Sequence, residues 1–176
     1  MKGMVFTEFL EMVETKFSTD MVDNILDEAN PASGGAYTSV GTYDHRELVD
    51  LVVALSKHTD IPVPSLVKTY GQHLFTVFAN NYQNFFEGVP DAFTFLNGIE
   101  EVIHAEVIKL YPDAELPTFH CKRDGNLLYM TYHSNRHFAD LAEGLILGSA
   151  AYFNETFKID REEMDENTTL FTLTKH

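Results

Sequence analysis

The stretch TFHCKRDGNLLYMTYHS, residues 118–134, decides the fold of this chain. Two extended runs flank the pair Asp124-Gly125, and an aspartate–glycine pair between such runs is a strong signal for a β-hairpin. The final segment repeats the arrangement, because a polar turn near residues 165–167 separates YFNETFKIDREE from TTLFTLTKH. The two hairpins predict a four-stranded antiparallel sheet in the C-terminal part of the chain.

Helical periodicity dominates the chain before the first hairpin. Ser18 or Thr19 caps one helix, Pro62 and Pro64 mark the start of another, and Pro112 stops a third. One helix is predicted to follow the cap at Ser18 or Thr19, and another lies between the two hairpins, over 136–151. The remaining predicted helices cover 6–16, 45–58, 63–83, 90–96 and 98–111. Because the helices and the antiparallel strands are segregated, the predicted class is α+β.

The chain has 176 residues, which is the length of one domain. We divide this domain into a helical N-terminal subdomain of about 1–60 and a C-terminal part of about 61–176. Twelve basic and 27 acidic residues give a net charge of −15, which disfavours nucleic acid and anionic membranes as partners. The single cysteine, Cys121, excludes an internal disulfide, and neither a secretory leader nor a run of 18 apolar residues is visible. We therefore expect a soluble, cytoplasmic protein.

The segment TYHSNRHF, residues 131–138, places Tyr132, Ser134 and Arg136 at alternate positions. Alternate side chains of an extended chain leave the backbone on one face, so a phenol, a hydroxyl and a guanidinium would converge on one place. Such a set suits an anion with several oxygens. The same residues also fit an ordinary strand edge followed by a helix that Ser134 or Asn135 caps.

His104 lies on a mostly apolar arc of the predicted helix 98–111. Ile103 and Val107 flank it, and its one evident polar neighbour is Glu100, one turn earlier. A histidine in this setting is either a ligand for a metal or a buried residue without a ligand, and spacing alone favours the second interpretation.

The two features taken together resemble a known family. The run IEEVIHAEV, then Pro117 thirteen residues after His104, then the Y-x-S-x-R triplet at 132–136 are similar to the heme nitric oxide/oxygen-binding (H-NOX) domain. That domain is related to the heme domain of soluble guanylate cyclase. The MKG start and the GLILGSA run at 144–150 add to the likeness. The resemblance covers essentially the whole chain and implies the H-NOX fold and heme b, iron protoporphyrin IX, as cofactor.

The resemblance implies a role for each residue. His104 is the proximal iron ligand, and Tyr132, Ser134 and Arg136 bind the heme propionates, which are the expected anion. Pro117 takes the position of the proline that presses on the porphyrin and bends it. The chemistry agrees, because a guanidinium can bind a carboxylate through two charge-assisted bonds and an imidazole nitrogen is a normal axial ligand.

On the opposite, distal side, the resemblance counts Val5, Phe9, Leu141 and Leu145 among the heme-binding residues. Oxygen-binding members of the family have a tyrosine where this chain has Leu141, and its hydroxyl donates to bound O₂. A hydrogen bond to a charged group is worth roughly 1.5–3 kcal/mol, so its loss weakens O₂ binding by roughly ten- to a hundredfold or more. We therefore expect binding of NO and CO with little O₂ binding, unless another donor such as His73 reaches the ligand.

The family also implies a mechanism and partners. NO weakens the bond between iron and His104, which frees the helix that carries this residue and lets the N-terminal helices move relative to the C-terminal part. Standalone bacterial relatives act on a histidine kinase or on a diguanylate cyclase or phosphodiesterase. The sequence contains no Ser-His-Asp ordering and no phosphate-binding glycine loop, so we expect a sensor and not an enzyme.

Two other interpretations remain at the level of sequence. His120, Cys121, His133 and His137 are residue types that bind zinc, although the glutamate of a metalloprotease motif is absent. Alternatively, the acidic surface belongs to a protein-interaction module without a cofactor, and DREEMDEN at 160–167 is then a candidate docking patch.

Overall fold

The computed structural model describes all 176 residues, which form seven α-helices and one four-stranded sheet. The helices are α1 (Gly3–Lys16), α2 (Thr19–Ala29), α3 (His45–Thr59), α4 (Val63–Asn81), α5 (Ala92–Asn97), α6 (Ala105–Leu110) and α7 (Ala139–Tyr152). The strands are β1 (Thr118–Asp124), β2 (Leu127–His133), β3 (Phe157–Asp165) and β4 (Thr168–Lys175). The predicted α+β class, with one helix between two hairpins, is confirmed.

Both predicted hairpins form, and the strands lie in the order β1-β2-β4-β3, all antiparallel. Asp124 pairs with Leu127, so Gly125 and Asn126 make a two-residue loop. Gly125 has a φ of +58°, a left-handed conformation that glycine adopts without strain. Alternate residues of the two central strands are buried: Leu128, Met130, Tyr132, Thr169, Phe171 and Leu173. All of these except Thr169 share one hydrophobic core with residues of α5 and α7.

The first four helices surround a separate core, in which Phe6, Phe9 and Leu51 are fully buried. Burial of one such side chain contributes about 1.5–3 kcal/mol, so this core holds α1 to α4 together. Of the two candidate caps for α2, the serine is used, because Ser18 Oγ accepts the Met21 N–H at 3.0 Å. The first core also includes residues of α4, so the proposed division near residue 60 stays a prediction. None of the helices combines the length and the apolar character that crossing a membrane requires.

Helices α4 and α7 cross at two glycines, Gly71 and Gly144. A Cβ atom on Gly71 would lie 2.6 Å from the Leu141 carbonyl oxygen, and one on Gly144 would collide with the carbonyl of Lys68. Only glycine therefore allows the two backbones to approach this closely. The crossing fixes the position of the α7 residues on either side of Gly144, including Leu141 and Leu145.

The helix predicted over 136–151 begins later, at Ala139, and neither predicted cap residue caps it. Ser134 Oγ instead accepts the Arg136 N–H at 3.1 Å, and His137 has a φ of +57°. Serine favours such local turns because its hydroxyl competes for nearby backbone groups. The strand ends at His133, so Ser134 and Arg136 lie in a turn between strand and helix, and the three side chains of the triplet do not share one face of an extended chain.

The helix predicted over 98–111 is also modified. It begins with a π-helical turn, Ile99–His104, and continues as α6 to Leu110. Elsewhere the deviations lie at the ends: the first helix begins at Gly3, and the helix predicted to reach residue 83 ends at Asn81, before a 3₁₀ turn over Gln83–Phe86. π-Helical turns are rare and occur mostly at functional sites, which directs attention to His104.

Candidate functional site

A cavity of about 680 Å³ lies between α1, α4, α6, α7 and the first hairpin. Of its 37 lining residues 26 are hydrophobic, so the interior suits a bulky and largely apolar ligand. Six aromatic side chains that follow one another along α4, the 3₁₀ turn and α5 line it: Phe75, Phe78, Tyr82, Phe85, Phe86 and Phe95.

His104 lies in the lining of this cavity, at the last residue of the π-helical turn. Its Nδ1 lies 2.9 Å from Glu100 Oε1, and the same oxygen accepts the Phe119 N–H at 2.7 Å. Burial lowers the pKa of the His104 imidazole, and the neighbouring carboxylate opposes this shift. The ring is therefore neutral near pH 7, and Nε2 is the nitrogen that remains for a ligand.

The polar groups of the Y-x-S-x-R triplet line the other part of the cavity. The turn at 134–138 brings Arg136 to the same cavity as Tyr132, although the three residues do not lie on one extended strand. Burial raises the pKa of the Tyr132 phenol, with Ser134 and the Phe138 backbone opposing, so the phenol stays protonated and can donate. Arg136 NH2 donates to Glu115 Oε2 at 2.8 Å.

The other residues singled out in the sequence divide into two groups. Val5, Pro117, Leu141 and Leu145 line the cavity. Phe9 does not: it is fully buried in the helical core, where its ring meets Tyr70 edge-on at a centroid distance of 5.3 Å. Phe9 therefore packs in the helical core beside the cavity, and its assignment to the heme-binding residues stays a prediction.

His73, the alternative donor, also lies outside the cavity lining. Its Nε2 is 3.6 Å from Glu8 Oε2, and its ring is stacked against Tyr70 at 6.4 Å between centroids. The buried Nε2 has no hydrogen-bond partner in the structure, so the Glu8 carboxylate and the Tyr70 ring are close neighbours of the imidazole and not hydrogen-bond acceptors.

Sequence analysis missed the stripe of α4 that lines the cavity. Leu74 and Phe78 lie four residues apart on one face of the helix, and Tyr82 follows directly after its last residue. The spacing was visible, but an apolar stripe on a helix does not reveal whether it faces a core or a ligand. Burial and the neighbouring Tyr111 raise the pKa of Tyr82, so this phenol is also neutral.

The four residues of the zinc hypothesis are not brought together, and no group of three or more potential ligands in the chain could hold a metal ion. Cys121 donates to the Leu96 carbonyl at 3.6 Å, and burial raises its pKa to about 11, so the thiolate that zinc needs is disfavoured. His133 Nδ1 contacts Thr168 Oγ1 at 3.0 Å, and His137 Nδ1 contacts the Glu166 carbonyl at 2.8 Å.

The residues present fit heme. The apolar, aromatic lining suits a porphyrin, its volume lies within the roughly 300–1,000 Å³ of cofactor pockets, and one neutral imidazole is available as an axial ligand. Arg136 adds a cation at the same cavity, and a buried phenol adds a donor. The fold and this cavity define a heme-binding domain.

Comparison with known proteins identifies the family. The chain matches the Haem-NO-binding family over residues 2–161 and belongs to it. None of the curated proteins matches the chain. Among solved structures, the unliganded Fe(II) H-NOX protein of K. algicida, as its A71G mutant, is 40% identical with a TM-score of 0.94, over 100% of this chain and 97% of that one.

Two related structures carry gas ligands. The Fe(II)CO H-NOX of Shewanella woodyi, bound to IWP-051, is 42% identical with a TM-score of 0.86, over 100% of this chain and 95% of that one. The Fe(II)NO H-NOX protein of S. oneidensis is 26% identical with a TM-score of 0.91, over 100% of this chain and 99% of that one. The chain is therefore a heme protein of a gas-binding family.

Proposed function

We propose that this protein is a heme-based sensor of NO and CO in which His104 is the axial ligand of the iron. The observation that carries the proposal is that His104 and Arg136 line one apolar cavity, at opposite ends of the sequence motif that defines the resemblance. When bound, heme would supply a ferrous iron that can bind a diatomic gas. The related structures with NO and CO support this choice of ligands.

Tyr132, Ser134 and Arg136 bind the propionates of heme b. Arg136 is a permanent cation with a planar array of donors that suits a carboxylate. The Tyr132 phenol remains protonated, which supports its role as a further donor. Pro117 lines the cavity between His104 and the triplet in sequence, and we assign to it the contact with the porphyrin face.

The choice of gas follows from the side chains opposite His104. Leu141 and Leu145 of α7 and Val5 of α1 are apolar and line the cavity, and His73 lies outside its lining. The side chains of Leu141, Leu145 and Val5 cannot donate a hydrogen bond to bound O₂. NO binds ferrous iron without such a bond. The protein thus favours NO and CO and binds little O₂.

His104 is also the residue that transmits the signal. The π-helical turn and α6 carry this residue, so a weaker hold of His104 on the cofactor would free both elements to shift relative to the sheet. A histidine kinase or a cyclic-di-GMP synthesising or degrading enzyme of a bacterial cytoplasm receives this change. The chain itself acts as a sensor and not as an enzyme.

The decisive experiment replaces His104 with alanine. We expect the purified ferrous His104→Ala variant to lose the unliganded spectrum of a histidine-bound heme. Wild type should retain this spectrum, bind NO under anaerobic conditions and form no stable O₂ complex in air. An unchanged ferrous spectrum and heme content in His104→Ala would refute His104 as the ligand. A stable oxygenated wild-type spectrum would refute the proposed choice of gas.

A further inference from the structure

One carboxylate oxygen connects the candidate axial ligand to the sheet. Glu100 Oε1 accepts the Phe119 N–H at 2.7 Å and lies 2.9 Å from His104 Nδ1. Both distances are typical of hydrogen bonds, and both contacts are made by the same oxygen atom. Glu101, the next residue, has the same charge, is exposed and takes part in no ion pair in the structure.

The shared oxygen decides which imidazole nitrogen carries the proton. Since Glu100 Oε1 already accepts one N–H, it acts as an acceptor, and the His104 Nδ1 must donate to it. The proton on Nδ1 leaves the lone pair on Nε2 free. A carboxylate that accepts the outer N–H of an axial histidine also makes that histidine a stronger donor to the metal.

We propose that Glu100 is the positioning residue of the axial ligand and the link that joins His104 to strand β1. This inference rests on the proposed function, because it takes His104 as the iron ligand. Glu100 holds the Nδ1–H tautomer, strengthens the bond of Nε2 to the iron and fixes the distance between the π-helical turn and the amide of Phe119.

The link continues across the first hairpin to the propionate end of the cavity. Phe119 pairs with Tyr132 in the β1–β2 register. The His104 and Phe119 rings are 6.0 Å apart between centroids, and the Phe119 and Tyr132 rings are 5.4 Å apart. A displacement of His104 would therefore move Glu100 first and then strands β1 and β2, which carry Phe119 and the Tyr132 phenol.

Helical spacing brings Glu100 next to His104. The two residues lie four positions apart within the turn Ile99–His104, and side chains at this spacing are neighbours on a helix. The His104 side chain is 16% exposed and that of Glu100 is 37% exposed. The carboxylate thus stays partly hydrated while it contacts a mostly buried ring.

The test uses Glu100→Ala and Glu100→Gln, with Glu101→Gln as a control of equal charge change one residue away. In resonance Raman spectra of the unliganded ferrous protein, we expect the iron–histidine stretch to fall in frequency in Glu100→Ala. Glu100→Gln, whose amide oxygen can still accept both N–H groups, should lie between Glu100→Ala and wild type. Glu101→Gln should equal wild type.

Nuclear magnetic resonance of the diamagnetic ferrous CO complex gives a second readout. Wild type should show a protected His104 Nδ1–H and a slowly exchanging Phe119 amide, and in Glu100→Ala the amide should exchange at least about tenfold faster. Unchanged Raman and exchange results in both Glu100 variants would overturn the inference. That result would leave the proposed function intact, because His104→Ala tests it independently.

Discussion

At the scale of single residues, Arg136 has a partner that it can exchange. The Arg136 side chain is 17% exposed, but that of its partner Glu115 is 81% exposed. An ion pair with an exposed carboxylate contributes little stability, because water solvates the carboxylate nearly as well. Arg136 can therefore give up Glu115 for a carboxylate inside the cavity at little cost.

Replacement of Arg136 by alanine should weaken heme retention. The lost charge-assisted hydrogen bonds are worth about 1.5–3 kcal/mol, which corresponds to heme loss about ten- to a hundredfold faster. The measurement is the rate of heme transfer to a heme-free acceptor protein. Glu115→Gln is the matched control and should retain heme at least as well as wild type; equal heme loss from Arg136→Ala and wild type would contradict the assignment.

A second prediction concerns Leu141. Leu141→Tyr introduces a phenol on the wall of the cavity that Leu145 and Val5 share, where it can donate to bound O₂. Oxygen affinity should rise by about tenfold or more, whereas NO binding should change little. Absorption spectra of the ferrous variant in air measure this, with Leu141→Phe as a control of similar size without the hydroxyl. Equal O₂ binding by the Tyr and Phe variants would contradict the reasoning.

The sequence identified the residues of this cavity unevenly. Arg136 and His104 were recognised only in combination, through the resemblance to a family, because the spacing of either one alone also fits a strand edge or a buried histidine without a ligand. Phe9, expected among the heme-binding residues, is buried in the helical core, and Phe78, which the sequence analysis did not name, lines the cavity. Apolar side chains look the same in both places, because only the packing of the neighbouring helices decides which face becomes a cavity wall.

At the scale of the elements, the approach of α4 to α7 depends on Gly144. A Cβ atom there would collide with the Lys68 carbonyl, which is backbone and cannot move aside. Gly144→Ala should therefore push α7 away from α4 and destabilise the fold by about 1–3 kcal/mol. For a chain of this length, each kcal/mol lowers the melting temperature by about 2–4 °C, which a thermal unfolding scan detects.

The control for this prediction is Gly98→Ala. A Cβ atom on Gly98 would have its nearest neighbour, the Phe95 carbonyl oxygen, at 3.6 Å, which is an ordinary contact. This substitution should leave the melting temperature nearly unchanged. If Gly144→Ala melted no lower than Gly98→Ala, the close crossing would not limit the packing of α4 on α7.

The types and order of the elements were readable from the sequence, but two irregular segments were not. Helical periodicity cannot distinguish a π-helical turn from an α-helical turn at Ile99–His104, because the difference is one residue in the hydrogen-bond spacing. The turn at 134–138 was also missed, since Ser134 is as good a helix cap as a turn residue. Tertiary contacts decide both cases, and both segments carry side chains of the cavity.

At the scale of the whole molecule, the cavity lies along the boundary between two hydrophobic cores. Leu141 and Leu145 of α7 pack against the first core, around α1 to α4, while Ala142 and Ile146 of the same helix belong to the second core, around the sheet. A ligand in the cavity thus contacts both bodies at once. Under the proposed function, a change in the attachment of His104 would shift one body against the other without disrupting either core.

Asp91, the N-cap of α5, connects this helix to strand β4 at the edge of the second core. Its carboxylate accepts the Thr94 N–H at 2.8 Å and pairs with Lys175 Nζ of β4 at 3.1 Å. Burial works against ionisation of Asp91, but the Thr94 hydrogen bonds and the Lys175 ammonium outweigh it and hold its pKa well below the usual range. The ionised carboxylate therefore stabilises the folded state above its unfolded pKa of about 3.9 and loses this effect as the pH falls through the lower folded value.

Asp91→Asn keeps the cap but removes the charge, so it should destabilise the protein by about 1–2 kcal/mol at pH 7. The difference from wild type should persist down to about pH 5 and then narrow as wild type takes up a proton. Urea unfolding of both heme-loaded proteins at several pH values measures this, and the contribution of heme cancels in the comparison. Asp23→Asn, on the exposed face of α2, should match wild type at every pH. A deficit of Asp91→Asn that did not change with pH would show that shape, and not charge, makes Asp91 hold α5 to the last strand.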